Sequence, residues 1–118
     1  MIEPELVPLV ASRFKALAEP RRLAILSALQ SGEKSVGELA EATGRPQPNV
    51  SQHLASLASA GLVASRRDGA RVLYRSADPW VGRICDAVCA SLRQQARDEH
   101  RRLGALVARK GRRGGSRA

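Results

Sequence analysis

Gln47, Asn49 and Gln52 stand within the segment Gln47-Pro48-Asn49-Val50-Ser51-Gln52-His53, and each ends in an amide that offers a donor and an acceptor side by side. That pairing matches the edge of a base, adenine best of all, and Ser51 or His53 beside them could meet a base or a phosphate. Further along, Arg66, Arg67, Arg71 and Arg75 crowd a short stretch in which only Asp68 opposes them. Guanidinium groups clustered this way suit phosphate oxygens, although a charged hairpin edge that merely discourages aggregation has the same composition. Cys85 and Cys89 form a third set. One helical turn apart, their Cβ atoms lie about 5–6 Å from each other, near enough to share a soft metal or metalloid ion but too far for an unstrained disulfide. Two thiols are too few for a closed site. The thiols of a second copy could complete it, the pair could serve redox or sulfur chemistry instead, or both could simply pack as small apolar residues.

These groups need elements to position them. Leu6, Val7, Leu9, Val10, Phe14 and Leu17 recur with helical spacing, and a helix ends near Ala18, before Glu19-Pro20. Pro20 opens a second helix through Leu23, Leu26 and Leu29, closed by Ser31-Gly32. Ser35-Val36-Gly37-Glu38 has the form of a capping box and starts a short third helix that Thr43-Gly44 ends. Pro46 and Pro48 fit the first turn of a fourth helix, from about residue 47 to Ala60, with Val50, Leu54 and Leu57 as its apolar stripe. Opposite that stripe stand Pro48, Asn49, Gln52, Ser56 and Ser59, with Ser51 and His53 on the flanks. Gly61 stops the helix. The run Leu62 to Arg67 leads into Asp68-Gly69, a strong hairpin signal, and Ala70 to Arg75 returns, giving a two-stranded ribbon. Asp78-Pro79 caps a last helix carrying Val81, Ile84, Cys85, Val88, Leu92, Ala96 and Leu103. Running to about Ala108 it is near 45 Å long, more than a domain of this size spans, so its far end calls for a second chain. From Arg109 the Gly/Arg composition reads as a disordered basic tail.

The expected fold is therefore mainly α with a small β wing, in one domain over residues 1–108 followed by the tail at 109–118. Short helices joined by Thr43-Gly44-Arg45-Pro46 and followed at once by a hairpin are the winged form of the helix-turn-helix, whose second helix enters the major groove. The 118 residues carry 20 Lys and Arg against 11 Asp and Glu, a formal charge of +9 that points to a polyanionic partner. Five of those charges lie in the tail, so the body is only mildly basic. No apolar run reaches the roughly 18–20 residues of a membrane span, and the N-terminus lacks a signal-peptide pattern, so a cytoplasmic protein without membrane contact is expected. Two His, two Cys and three aromatic residues make no recognisable catalytic set, which argues against an enzyme. A winged helix that binds protein rather than DNA calls for exposed apolar or acidic residues on the fourth helix, and Gln47, Asn49, Ser51 and Gln52 are neither.

The run Leu17-Ala18-Glu19-Pro20-Arg21-Arg22-Leu23-Ala24-Ile25-Leu26, the helix Val50 to Leu57 with Ala60-Gly61-Leu62-Val63, and the stretch Asp68 to Arg75 resemble the ArsR/SmtB family of bacterial repressors. The likeness spans about residues 14–80. It implies a homodimer, held by its first and last helices, that represses transcription from an inverted repeat in double-stranded DNA and lets go on sensing an effector. On this likeness the DNA contacts fall to Gln47, Pro48, Asn49, Ser51, Gln52 and His53 in the groove and to Arg66, Arg67 and Arg71 on the backbone. One metal site of the family uses Cys-x-Cys in the third helix, where this chain has Ser35 to Glu38. Another starts from Asp-x-His after the wing, where Asp78-Pro79-Trp80 stands, with Ser91 and Gln94 near the later ligand positions. Only Asp78 matches, which leaves Cys85 and Cys89 as candidate holders of a soft ion.

Overall fold

The computed structural model describes residues 1–115, and its contacts divide into a unit of residues 1–82 and a second unit from Arg83 onward. A single 3-10 turn at Pro4–Leu6 leads into α1 (Val7–Leu17), followed by α2 (Pro20–Leu29), β1 (Lys34–Ser35), α3 (Val36–Thr43), α4 (Gln47–Ser59), β2 (Val63–Asp68), β3 (Arg71–Ser76) and α5 (Pro79–Gly115).

Side chains close the helix ends. Glu19 accepts the Arg22 amide at the start of α2, while the Arg22 guanidinium donates back to the Ala16 and Lys15 carbonyls that end α1. Lys34 does the same for α2, its Nζ lying 2.8 Å from the Ala28 carbonyl. A cation at a helix C-terminus satisfies orphan carbonyls and meets the negative end of the dipole. At α3 the expected capping box is present: Ser35 Oγ accepts from the Glu38 amide at 3.2 Å, and Glu38 Oε1 accepts from the Ser35 amide at 3.0 Å. Gly44 ends α3 at φ +66°, a left-handed conformation that a side chain would strain, and Pro46 caps α4 directly afterwards.

The core of the first unit is apolar. Ile25, Leu26, Leu39, Val50, Leu54, Leu57, Leu62 and Val81 are the largest side chains buried in it, and among the described residues no polar or charged residue is buried with them. The anticipated stripe of α4 thus faces inward.

Two details of the wing differ from the sequence expectation. The sheet has three strands, ordered β1-β3-β2, because Lys34 and Ser35 pair with Tyr74 and Leu73. A two-residue strand shows no alternation to read, and here it joins the wing to the residue that caps α3. The hairpin loop is Gly69-Ala70, closed by Asp68 opposite Arg71, and only Gly69 has positive φ. A positive φ at the first central residue alone is the mark of a II′ turn.

α5 begins where Asp78 Oδ1 accepts from the Trp80 amide at 2.9 Å, as its capping role requires. Trp80 itself is 60% exposed. The helix runs on through Arg109 to Gly115, into the segment expected as a basic tail. The last three residues of that expected tail lie outside the described residues.

Candidate nucleic-acid interface

α4 divides its residues cleanly. Val50, Leu54 and Leu57 are buried, while Gln47, Pro48, Ser51, Gln52, Ala55, Ser56 and Ser59 are exposed. The Gln47, Ser51 and Gln52 side chains make no hydrogen bond within the described residues. They leave their polar atoms to whatever meets this face.

Asn49 and His53 do not share that freedom. Asn49 is half-buried, and its Oδ1 is shut off from solvent with no partner among the described residues. His53 keeps only 13% of its side-chain surface and turns Nδ1 toward Glu19 Oε2, 3.9 Å away. Burial alone raises the Glu19 carboxyl, but the Arg22 amide and then His53 outweigh it and set it below the ordinary range. Helical spacing alone places Asn49 on the outward side and His53 on the flank. The 100° wheel puts them at its margins, and the neighbouring α2 cap decides which way the histidine turns.

On the wing the register separates the arginines. Arg66 lies opposite Leu73 and Asp68 opposite Arg71, which puts Arg66, Arg71 and Arg75 on one face; Arg67, opposite Val72, projects from the other. Arg66 is engaged in a two-pronged bond with Glu33, Nε to Oε2 at 2.7 Å and Nη2 to Oε1 at 2.9 Å. This bond holds the Glu33 carboxyl below its usual range. Arg71 stands 3.5 Å from Glu38 and 3.9 Å from Asp68. Bonds from the Ser35 amide and hydroxyl lower the Glu38 carboxyl first, and Arg71 adds to that. Arg67 makes no hydrogen bond or ion pair among the described residues and is exposed. Sequence reading missed Glu19, Glu33 and Glu38 as partners of these groups. No local pattern announces them, since Glu33 lies 33 positions from Arg66.

Asp78 is spent on structure. Besides capping α5 it pairs with Arg13 of α1. Cys85 is half-buried and Cys89 exposed, both as free thiols. Burial pushes the Cys85 thiol up, and Cys89 and Asp86 add to the effect, which disfavours the thiolate that binds metal and attacks disulfides. Among the described residues no group of three or more His, Cys, Asp or Glu could hold a metal ion. The donors of one chain therefore do not fit a metal site.

A helix offering short, uncharged polar side chains, preceded by a capped helix across a tight turn and followed by a basic three-stranded wing, defines a winged helix-turn-helix protein. The profile of the arsR family of bacterial regulatory proteins matches residues 19–65. The transcriptional regulator KmtR of Mycobacterium tuberculosis is 47% identical over 83 residues, covering 70% of this chain and 64% of its own length. The chain thus spans just under two thirds of that curated relative. The solution structure of the homodimeric winged helix-turn-helix DNA-binding domain of Mb0332 from Mycobacterium bovis aligns with TM-score 0.69 and 40% identity, over 78% of this chain and 85% of that one. The crystal structure of the antimony-specific transcriptional repressor AntR aligns with TM-score 0.73 and 32% identity, over 82% and 88% respectively. The chain belongs to the ArsR family.

Proposed function

We propose that this chain acts in the cytoplasm as a homodimeric, sequence-specific repressor on double-stranded DNA, each copy laying α4 in the major groove of one half of an inverted repeat. The observation that carries this is the exposed face of α4. Among the described residues the Gln47, Ser51 and Gln52 side chains have no hydrogen-bond partner, and they stand on a helix whose opposite side is buried. Gln47 and Gln52 read base edges, Ser51 meets a base or phosphate, and Pro48 shapes the first turn. Asn49 and His53, turned inward, position the helix rather than read the base pairs. Arg67 is the wing cation ready for a phosphate, while Arg66 and Arg71 must exchange a carboxylate for one.

Dimerisation is assigned to α1 and α5. Leu6, Val7, Leu9 and Phe14 at one end of the chain, and Val88, Leu92 and Leu103 at the other, are large apolar side chains left about half exposed. Such surfaces mark a contact with another chain. Among the described residues no helix is long and apolar enough to cross a membrane, in keeping with this reading.

Release by an effector is assigned to Cys85 and Cys89. A soft metal or metalloid ion held there needs further donors from the second copy, whereas an oxidant would join thiols of the two copies in an interchain disulfide and a polysulfide would leave a sulfur link between thiols. The C85S/C89S variant should bind DNA as the parent does and ignore soft metal ions, arsenite and polysulfide that release the parent; a variant that still responds places sensing elsewhere. The DNA reading is tested by selecting sites from a random duplex pool. An inverted repeat with half-sites about one helical turn apart, roughly 34–36 Å, is expected. Recovery of no preferred sequence would overturn the proposal.

A further inference from the structure

The positive charge of this protein is concentrated far from the winged unit in sequence. Residues 93–118 contain nine of the basic residues and two of the acidic ones, so seven of the nine net charges belong to them. The structure turns much of this stretch into one helix, since α5 continues to Gly115.

A regular helix sorts these residues by face. At about 100° per residue, Cys85, Val88, Cys89, Leu92, Ala96, Leu103, Leu106 and Val107 fall within an arc of roughly 100°. Arg93, Arg97, Arg101, Arg102 and Arg109 fall on the remaining sides. Arg93, Arg97 and Arg101 stand at successive steps of four, about 6 Å apart along the axis, with Ala105 and then Arg109 continuing the row.

Little neutralises them. Arg101 pairs with Asp98 at 3.2 Å and Arg102 with Glu99 at 3.5 Å, but both arginines remain about 70% exposed, and such pairs are weak in water. Arg97 donates to the neutral Gln94 amide. Arg93 and Arg109 make no hydrogen bond or ion pair among the described residues. The apolar arc can meet a second copy while the arginines stay in solvent.

We infer that the arginine face of α5 is a second DNA-contacting surface, which grips phosphates without reading sequence. The inference rests on the DNA-binding reading for its partner. A row of exposed guanidinium groups is drawn to the dense negative charge of a duplex, and each phosphate neutralised releases counterions. This surface thus supplies affinity, while α4 supplies selectivity.

The test compares the full chain with its R93Q/R97Q/R101Q/R109Q variant and the matching four-lysine variant, binding unrelated-sequence duplex and the selected operator over a range of salt. Each lost phosphate contact should lower the slope of log affinity against log salt by about 0.9. The Gln variant should show slopes shallower by roughly two to four and affinities at least about tenfold weaker on both DNAs, with an unchanged preference for operator. The Lys variant should keep most of the affinity. Unchanged slopes in the Gln variant, with the parent still binding operator, would overturn this inference alone; a parent that binds no duplex would overturn the DNA reading with it. A Gln variant that loses binding only to phosphatidylserine vesicles would assign the face to lipid and refute the inference.

Discussion

At the scale of the residue, the pairing of opposite charges decides which cations are ready to bind. Arg66 gives both prongs of its guanidinium to Glu33, so contact with a phosphate must first break a well-formed bond. Glu33→Gln should free Arg66 and tighten binding to any duplex, steepening the salt slope by about one, as measured by salt-titrated binding. The same pair links stability to pH. Because Arg66 lowers the folded-state value of Glu33, the carboxylate adds stability above its unfolded value, and that share vanishes as pH falls through the folded value. In acid titrations followed by circular dichroism, Glu33→Gln should therefore begin less stable at neutral pH and fall less steeply below about pH 5. The residue types of this site were legible in the sequence: three amides on one helix and four arginines on one hairpin. Their partners were not, because Glu19, Glu33 and Glu38 come from other elements and nothing local ties them to His53, Arg66 or Arg71.

Elements follow from short-range chemistry, and most of them could be read in advance for that reason. The Ser35 to Glu38 box and the glycine after Thr43 act within a few residues of themselves, so their signals survive in the bare sequence. Ser35→Ala removes an acceptor from the start of α3 and should cost about 1 kcal/mol in denaturant unfolding. Because Ser35 also pairs with Leu73 of β3, a looser wing should accompany that loss, seen as faster amide exchange in β3. Strand β1 escaped the sequence because its pairing is non-local and two residues long. The far end of α5 is hard to read for the opposite reason: its Gly/Arg composition offers no apolar periodicity from which a helix could be expected. Asn49 and His53 show where periodicity stops being informative, since residues at the margin of a helical stripe take their direction from the packing partner.

For the whole molecule, the buried core belongs to residues 1–82, while large apolar side chains of α1 and α5 stay open. In the proposed homodimer a second copy covering both surfaces would account for that exposure and double the number of recognition helices. Leu9→Glu and Leu92→Glu, made separately, should each weaken the dimer in sedimentation equilibrium and lower affinity for an inverted repeat far more than for a single half-site. Under the proposed function, reading and gripping belong to different residues of a homodimer: Gln52 on α4 would supply discrimination among bases, and Arg67 on the wing attraction to phosphate whatever the sequence. The most direct measurement is salt-titrated binding of the parent, Gln52→Ala and Arg67→Ala to the selected inverted repeat and to unrelated duplex. Gln52→Ala should lose about 1–3 kcal/mol of preference per half-site with its salt slope intact, and Arg67→Ala should lose affinity equally on both DNAs with a slope shallower by about one per contact. Equal losses of preference in the two variants, or a parent with no preference to lose, would contradict the account.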